Sequence, residues 1–314
     1  MEIDDVVSGV LEGERRAMAR AISMVEDGAE GLPELIAGIY PKTGRAYTVG
    51  LTGSPGVGKS SLAAELVKAT RARDRAVAVL AVDPTSPFTG GALLGDRLRM
   101  QSHATDPGVF IRSMATRGHL GGLALAAPEA VMVLDASGMD LVLVETVGVG
   151  QAEVEVATRA DTTLVVVAPG WGDAVQASKA GILEVADVFV VNKADREGAG
   201  EAVRDLELML KMGPELDWTP PVVKTATVTG EGTDDLWEAI GSHRKHLESG
   251  GDLERRRRQR IVDEVEAMAA ARLRERAAAM LERGDLERLA DDLAARTVDP
   301  YRAVDMLIER MEAR

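Results

Sequence analysis

The chain has 314 residues, 46% apolar and only 3% aromatic, with 37 Lys and Arg against 51 Asp and Glu for a formal net charge of −14. That length holds one large α/β domain with helical extensions, or two small domains, around a core of Val, Leu, Ala, Ile and Met. The acidic balance argues against general nucleic-acid or anionic-membrane binding, the lack of any cysteine excludes disulfides, thiolate zinc and a redox pair, and the apolar runs are too short to span a bilayer.

The N-terminus, Met1-Glu2-Ile3-Asp4-Asp5, is acidic and carries no apolar signal core, which fits a soluble cytoplasmic protein. Residues 5 to 40 place Val6, Val7, Val10, Leu11, Met18, Ala21, Ile22 and Val25 at helical spacing, with a second short helix over 32–39. Residues 1–44 are therefore expected to form an N-terminal helical extension. From Tyr47 onward short apolar runs end in polar or turn residues. Tyr47 to Leu51 precedes Gly53, Ala76 to Val82 ends in Asp83-Pro84, and Leu141 to Val144 ends in Glu145. Thr163 to Val167 ends in Ala168-Pro169-Gly170, Val188 to Val191 in Asn192, and Pro221 to Val223 leads to Thr225. Helical stretches separate them, so residues 45–250 predict an α/β fold, a doubly wound, mostly parallel sheet of the P-loop NTPase type. Polar motifs just past the C-terminal strand ends sit where such sheets bind ligands. After Gly250-Gly251 the strand signal disappears. Val262, Val265, Ala269, Leu273, Ala277 and Met280 step by three and four through one long helix, and two shorter helices follow over 286–295 and 301–311. Residues 251–314 are expected to be a C-terminal helical extension that docks on its own domain or on a second copy.

Gly53-Ser54-Pro55-Gly56-Val57-Gly58-Lys59-Ser60 fits G-x-x-x-x-G-K-[ST] without a mismatch, between a strand and a helix that starts near Ser61. Glycines let backbone N–H groups turn toward a polyphosphate, and the helix N-terminus adds partial positive charge. Lys59 is expected on the β- and γ-phosphates and Ser60 on Mg²⁺. Asn192-Lys193-Ala194-Asp195 has the N-K-x-D form of a guanine reader. The Asp195 carboxylate accepts from guanine N1–H and the 2-amino group, and adenine would leave it unpaired. Asn192 is expected on the other side of the base, the Lys193 stem on its face, and the backbone of Thr225-Ala226-Thr227 near guanine O6. Glu145-Thr146-Val147-Gly148 stands where an NTPase places its second acidic residue. Gly148 is a γ-phosphate contact, and Gln151 orients the attacking water or simply faces solvent. Asp83 and Asp96 are further Mg²⁺ candidates, each with helix capping as the plain alternative. His243 and His246, three apart on a predicted helix, have no Cys and no acidic triad near them in sequence and are not read as metal ligands. The run Arg255 to Arg258, with Arg260, reads as a solvated helix face paired with local acids.

Together the phosphate loop, Asp83-Pro84-Thr85-Ser86-Pro87, Leu94-Gly95-Asp96-Arg97, Glu145 to Gln151 and Asn192 to Asp195 resemble the methylmalonyl-CoA mutase-associated GTPases, a family once described as arginine/ornithine transport-system kinases. The resemblance covers nearly the whole chain. It implies a homodimeric GTPase that turns GTP into GDP and phosphate with Mg²⁺. Its implied role is to chaperone an adenosylcobalamin-dependent acyl-CoA mutase, gating cofactor loading and protecting or reactivating the enzyme. Asp96 matches a metal-linked switch residue, Glu145 to Gln151 the second switch, and the segment 172–179, with Asp173 and Lys179, a third switch that signals to the mutase. In many members Ile precedes the equivalent of Lys179, where this chain has Ser178. The client stays open among related acyl-CoA mutases. Two other readings stand beside this one. A nickel or cobalt metallochaperone GTPase would favour Cys and His relays, and a small-molecule kinase would need an acceptor pocket.

Overall fold

The computed structural model describes residues 2–82, 105–114, 123–146, 159–170, 185–214, 216–281 and 285–312. Three helices open the chain: α1 (Ile3–Leu11), α2 (Arg15–Asp27) and α3 (Leu32–Ile39), the last followed by a 3₁₀ turn at Tyr40–Lys42. In α2 the buried Ala17, Met18, Ala21, Ile22 and Val25 repeat at intervals of three and four, and Gly28 ends the helix in the left-handed conformation. Then follow β1 (Tyr47–Thr52), α4 (Lys59–Arg71), β2 (Val77–Val82), β3 (Val109–Met114), α5 (Leu123–Ala136), β4 (Leu141–Thr146), β5 (Thr162–Val167), β6 (Val188–Asn192), α6 (Ala199–Met212), β7 (Val222–Thr225) and α7 (Thr233–Ser249). The chain finishes with α8 (Asp252–Leu281), α9 (Asp285–Ala294) and α10 (Pro300–Glu312).

The seven strands form one sheet in the order β3-β2-β4-β1-β5-β6-β7, every pair parallel. A parallel sheet needs cover on both faces, which is why β2, β4, β5 and β6 are buried at every position. Alternate residues divide between the two faces. Ala78, Leu80, Val82, Val142 and Val144 pack with α1, α2, α3 and α5. Val77, Val79, Leu141, Leu143, Val49 and Leu51 pack with α4 and α7. The N-terminal helices thus share the core of the sheet. Strand β3 escaped the sequence reading because it is an edge strand with Ile111, Arg112 and Ser113 half-buried.

The chain divides into two compact units, Met1–Arg260 and Ile261–Arg314, and the division falls inside α8. Within the second unit Ala271, Leu289 and Ala303 are buried. Of the apolar stripe along α8, Val262, Val265 and Leu273 are exposed.

The arginine run at the start of α8 is only in part a solvated face: Arg255, Arg256 and Arg258 are exposed, while Arg257 and Arg260 are half-buried. Arg257 donates to both oxygens of Asp161 (3.0 and 2.6 Å) and to the carbonyls of Gly44 and Ala46, both at 2.8 Å. Arg260 joins Asp161 and the Arg159 carbonyl. Asp161 also accepts the Thr48 N–H at 3.0 Å. Local pairing accounts for Arg255 with Asp252, while Arg256 reaches Asp187. Beside this clasp the Tyr47 hydroxyl and Thr162 Oγ1 are 2.6 Å apart. Thr162 Oγ1 lies 2.9 Å from Nδ1 of His243, a histidine with no exposed surface whose Nε2 is 3.2 Å from Asp187 Oδ1. His243 is therefore a core residue.

Candidate functional site

The site begins where β1 ends. Gly53 has φ 143°, and a Cβ there would collide with the Val166 carbonyl oxygen on β5. Gly58, at φ 97°, precedes the first residue of α4, and a Cβ there would strike the Asn192 side-chain amide. The loop between these glycines folds over the α4 N-terminus because only glycine tolerates both the backbone angle and the close approach. Lys59 opens α4, is almost wholly buried, and its Nζ donates to the carbonyls of Gly53 (2.6 Å) and Ser54 (3.2 Å). Ser60 Oγ donates to Glu145 Oε1 at 2.5 Å. Glu145 is buried on β4, which lies next to β1 with Leu51 opposite Glu145. Strand adjacency thus brings together two residues 85 positions apart.

A second group arrives from the ends of β6 and β7. Asn192 has no exposed surface; its Nδ2 donates to the Val57 carbonyl at 2.9 Å, and its Oδ1 accepts from Thr225 Oγ1 at 3.1 Å. The sequence reading put this amide on the base. In the structure its bonds brace the phosphate loop against β7. Lys193 adopts φ 57°, a left-handed conformation costly for a side-chain-bearing residue, and its Nζ donates to the Gly56 carbonyl at 2.5 Å. The turn is closed by the Ala194 N–H on the Thr225 carbonyl and the Arg196 N–H on the Lys193 carbonyl, each at 3.0 Å. Ala226 is held in a bridge to Glu231.

Both groups open on one cavity of about 460 Å³. Pro55, Gly56, Gly58, Lys59, Ser60, Ser61 and Glu145 line it from the loop and β4, and Lys193, Asp195, Arg196, Thr227 and Val228 from the β6 and β7 ends. That volume suits a small organic ligand. The position also follows from topology. Beyond β1 the chain crosses to β2 on one side and later to β5 on the other, so the crevice lies where the winding reverses. Arg196 and Val228 were missed by the sequence reading; the only signal was that Arg196 directly follows Asp195. Asp83, Asp96, Gly148, Gln151, Asp173 and Lys179 lie outside the described residues.

A glycine loop capping a helix at the switch point of a parallel sheet, with a buried lysine and a Ser–Glu pair beside it, defines a P-loop NTPase. The model of the family described as methylmalonyl Co-A mutase-associated GTPase MeaB matches residues 18–282, and the chain belongs to that family. A Pyrococcus abyssi protein provisionally named a GTPase is 49% identical over 98% of this chain and 97% of its own length. The mitochondrial methylmalonic aciduria type A homolog of Caenorhabditis elegans is 36% identical over 82% of this chain and 70% of that protein. A crystal structure of an LAO/AO transport system kinase is similar with a TM-score of 0.74 at 26% identity, covering 99% of this chain and 97% of that one. Among the described residues no helix is long and apolar enough to cross a membrane.

Proposed function

We propose that the chain hydrolyses GTP to GDP and phosphate, and that this cycle serves an adenosylcobalamin-dependent acyl-CoA mutase by gating cofactor loading and protecting or reactivating the enzyme. The observation that carries the nucleotide half is the convergence of the phosphate loop and Asp195 on one cavity. Family membership supports the mutase half.

In this reading the loop N–H groups and the α4 N-terminus hold the β-phosphate, Lys59 neutralises charge on the β/γ-phosphates, and Asp195 reads the guanine N1–H and 2-amino group. Asn192 and Lys193 act by locking the phosphate loop to the base-reading turn. The half-buried Ser60 hydroxyl and the buried Glu145 carboxylate, already in contact, are the hard oxygen donors that Mg²⁺ takes. They would hold the ion, which when bound neutralises phosphate charge. Asp83 and Asp96 remain proposed metal contacts, Gly148 and Gln151 proposed γ-phosphate and water contacts, and Asp173 and Lys179 a proposed relay to the mutase. A homodimer through the second unit is supported by the exposed Val262, Val265 and Leu273. Val265→Asp with Leu273→Asp is expected to halve the mass measured by light scattering, and an unchanged mass would move the interface elsewhere.

The test of the nucleotide reading is Asp195→Asn. The variant is expected to weaken GTP binding by 10²-fold or more, within the roughly 10⁴-fold such polar sites achieve. It should favour xanthosine triphosphate, whose O2 accepts from the new amide. Unchanged GTP affinity sinks the base assignment. Phosphate release assayed with and without candidate mutases tests the chaperone role, and phosphate appearing on a small acceptor would favour the kinase reading instead.

A further inference from the structure

A guanine ring bound beside Asp195 has its edge read by the carboxylate, but its faces also need cover. An aromatic ring, a planar cation or an apolar side chain can supply that cover. This chain has only nine aromatic residues (Trp 3, Tyr 3, Phe 3), and none lines the cavity among the described residues. Two side chains on the wall nearest Asp195 have no role assigned so far. Arg196 is exposed and, among the described residues, makes no side-chain hydrogen bond or ion pair, even with its neighbour Asp195. Val228, on the facing β7 loop, is 88% exposed although it lines the same cavity. An unpaired guanidinium and an uncovered valine on two loops that line one cavity are surfaces awaiting a ligand.

We infer that Arg196 is a base-stacking residue, its planar guanidinium lying on the purine, with Val228 the apolar wall of the same slot. This rests on the nucleotide reading proposed above. Chemistry selects stacking over the other tasks an arginine performs. The guanidinium is flat, permanently charged and weakly hydrated, so it packs on an aromatic face where an ammonium would rather keep its water. The phosphates already have the loop N–H groups and Lys59. The backbone of Arg196 is tied into the tight turn that presents Asp195, through its N–H on the Lys193 carbonyl at 3.0 Å. The residue that reads the base edge and the residue that covers its face thus move together, and selectivity and affinity are built into one turn.

The test is equilibrium binding of GMP, GDP, GTP and IDP to the full-length wild type, Arg196→Ala, Arg196→Lys and Val228→Ser. Stacking predicts that Arg196→Ala weakens all four by one common factor, about 3- to 30-fold. Arg196→Lys should restore only part of it, because the charge returns without the plane. Val228→Ser should lose a smaller, equally uniform factor. A loss that grows from GMP to GTP would make Arg196 a phosphate contact and overturn the inference. A loss larger with GDP than with IDP, which keeps N1–H but lacks the 2-amino group, would mean that it merely orients Asp195, and no loss at all would also end it. The underlying reading fails separately. If the wild type binds ADP as tightly as GDP, the guanine assignment is wrong, while a uniform Arg196→Ala loss across ADP and GDP would still uphold the stack.

Discussion

At the C-terminal ends of the strands, Lys59 and Glu145 are buried beside a cavity, and at the N-terminal ends Asp161 is buried beneath Arg257 and Arg260. Both regions put charge where water is scarce, but the groups around those charges differ. Asp161 is enclosed by two guanidinium groups and a backbone N–H, and Arg257 spends its remaining donors on carbonyls of the segment leading into β1. Lys59 and Ser60 instead face 460 Å³ of open space from the first turn of α4. A closed polar cluster fixes structure, whereas the same kinds of group along a cavity wall can exchange their bonds for those of a substrate.

Asp161→Ala breaks this comparison hardest. It strands two guanidinium groups, and removing one partner from a buried pair costs about 3–5 kcal/mol. The unfolding free energy from urea titration should fall by that much, with nucleotide affinity unchanged in the folded protein; full stability would deny the clasp its structural role. The acid limb gives the sign independently. Burial alone would raise the Asp161 carboxyl, but hydrogen bonds and charge from Arg257 and Arg260 outweigh it and hold it below the usual carboxylate range. A depressed folded pKa gives stability that is complete above the unfolded value of about 3.9 and is lost as pH falls through the folded one. Wild type should therefore lose stability more steeply below about pH 4 than Asp161→Asn, and parallel acid limbs would contradict the assignment.

Lys59→Ala is the mirror experiment. Single-turnover GTP hydrolysis should fall by about 10²- to 10³-fold, the scale for removing one preorganised charge-stabilising donor. The urea midpoint should move far less than for Asp161→Ala. Equal rates would remove Lys59 from the proposed chemistry.

The same contrast explains what was legible in the sequence. The phosphate loop, Glu145 and Asp195 occupy motifs with fixed local spacing at strand ends, so their elements and shared crevice could be read from the chain. The strand runs were equally plain wherever both faces are buried. Edge strand β3 was lost because its half-solvated Arg112 and Ser113 interrupt the apolar signal. The clasp was lost for a different reason. Arg257 and Asp161 are 96 residues apart, and nothing in a run of arginines at a helix start says that its partner lies beneath a strand. For His243 the spacing of two histidines bears only on metal binding, and nothing in it says that Thr162 and Asp187 lie against the ring. Asn192 stood in the right motif, yet its bonds face the loop, because a strand-end residue with no exposed surface must satisfy its amide inside the protein.

Tyr47→Phe is the smallest and most selective probe of the closed end. The hydroxyl shares one hydrogen bond with Thr162, which keeps His243 as a second neighbour, so its loss should cost only about 1 kcal/mol at neutral pH. The alkaline limb is more telling. Burial pushes the phenol up to about 12, opposed by the Thr162 hydrogen bond, with Asp161 and Asp187 adding to the rise and Arg244 offsetting part of it. Arg244 sits 4.9 Å from the ring centroid. Between about pH 10 and pH 12 the unfolded chain loses this proton while the folded one keeps it, so folding stability falls across that window, by on the order of 2–3 kcal/mol. Phenylalanine has no proton to lose. The gap between wild type and variant seen at pH 7 should therefore close and then reverse as pH rises from about 10 to 12, because the loss of about 2–3 kcal/mol exceeds the initial lead of about 1 kcal/mol, while GDP affinity at neutral pH stays the same in both. Urea titrations at pH 7, 10 and 11.5 decide it. A gap that stays constant would mean that the phenol titrates as if in water and that the N-terminal end of the sheet is less closed than its hydrogen bonds imply.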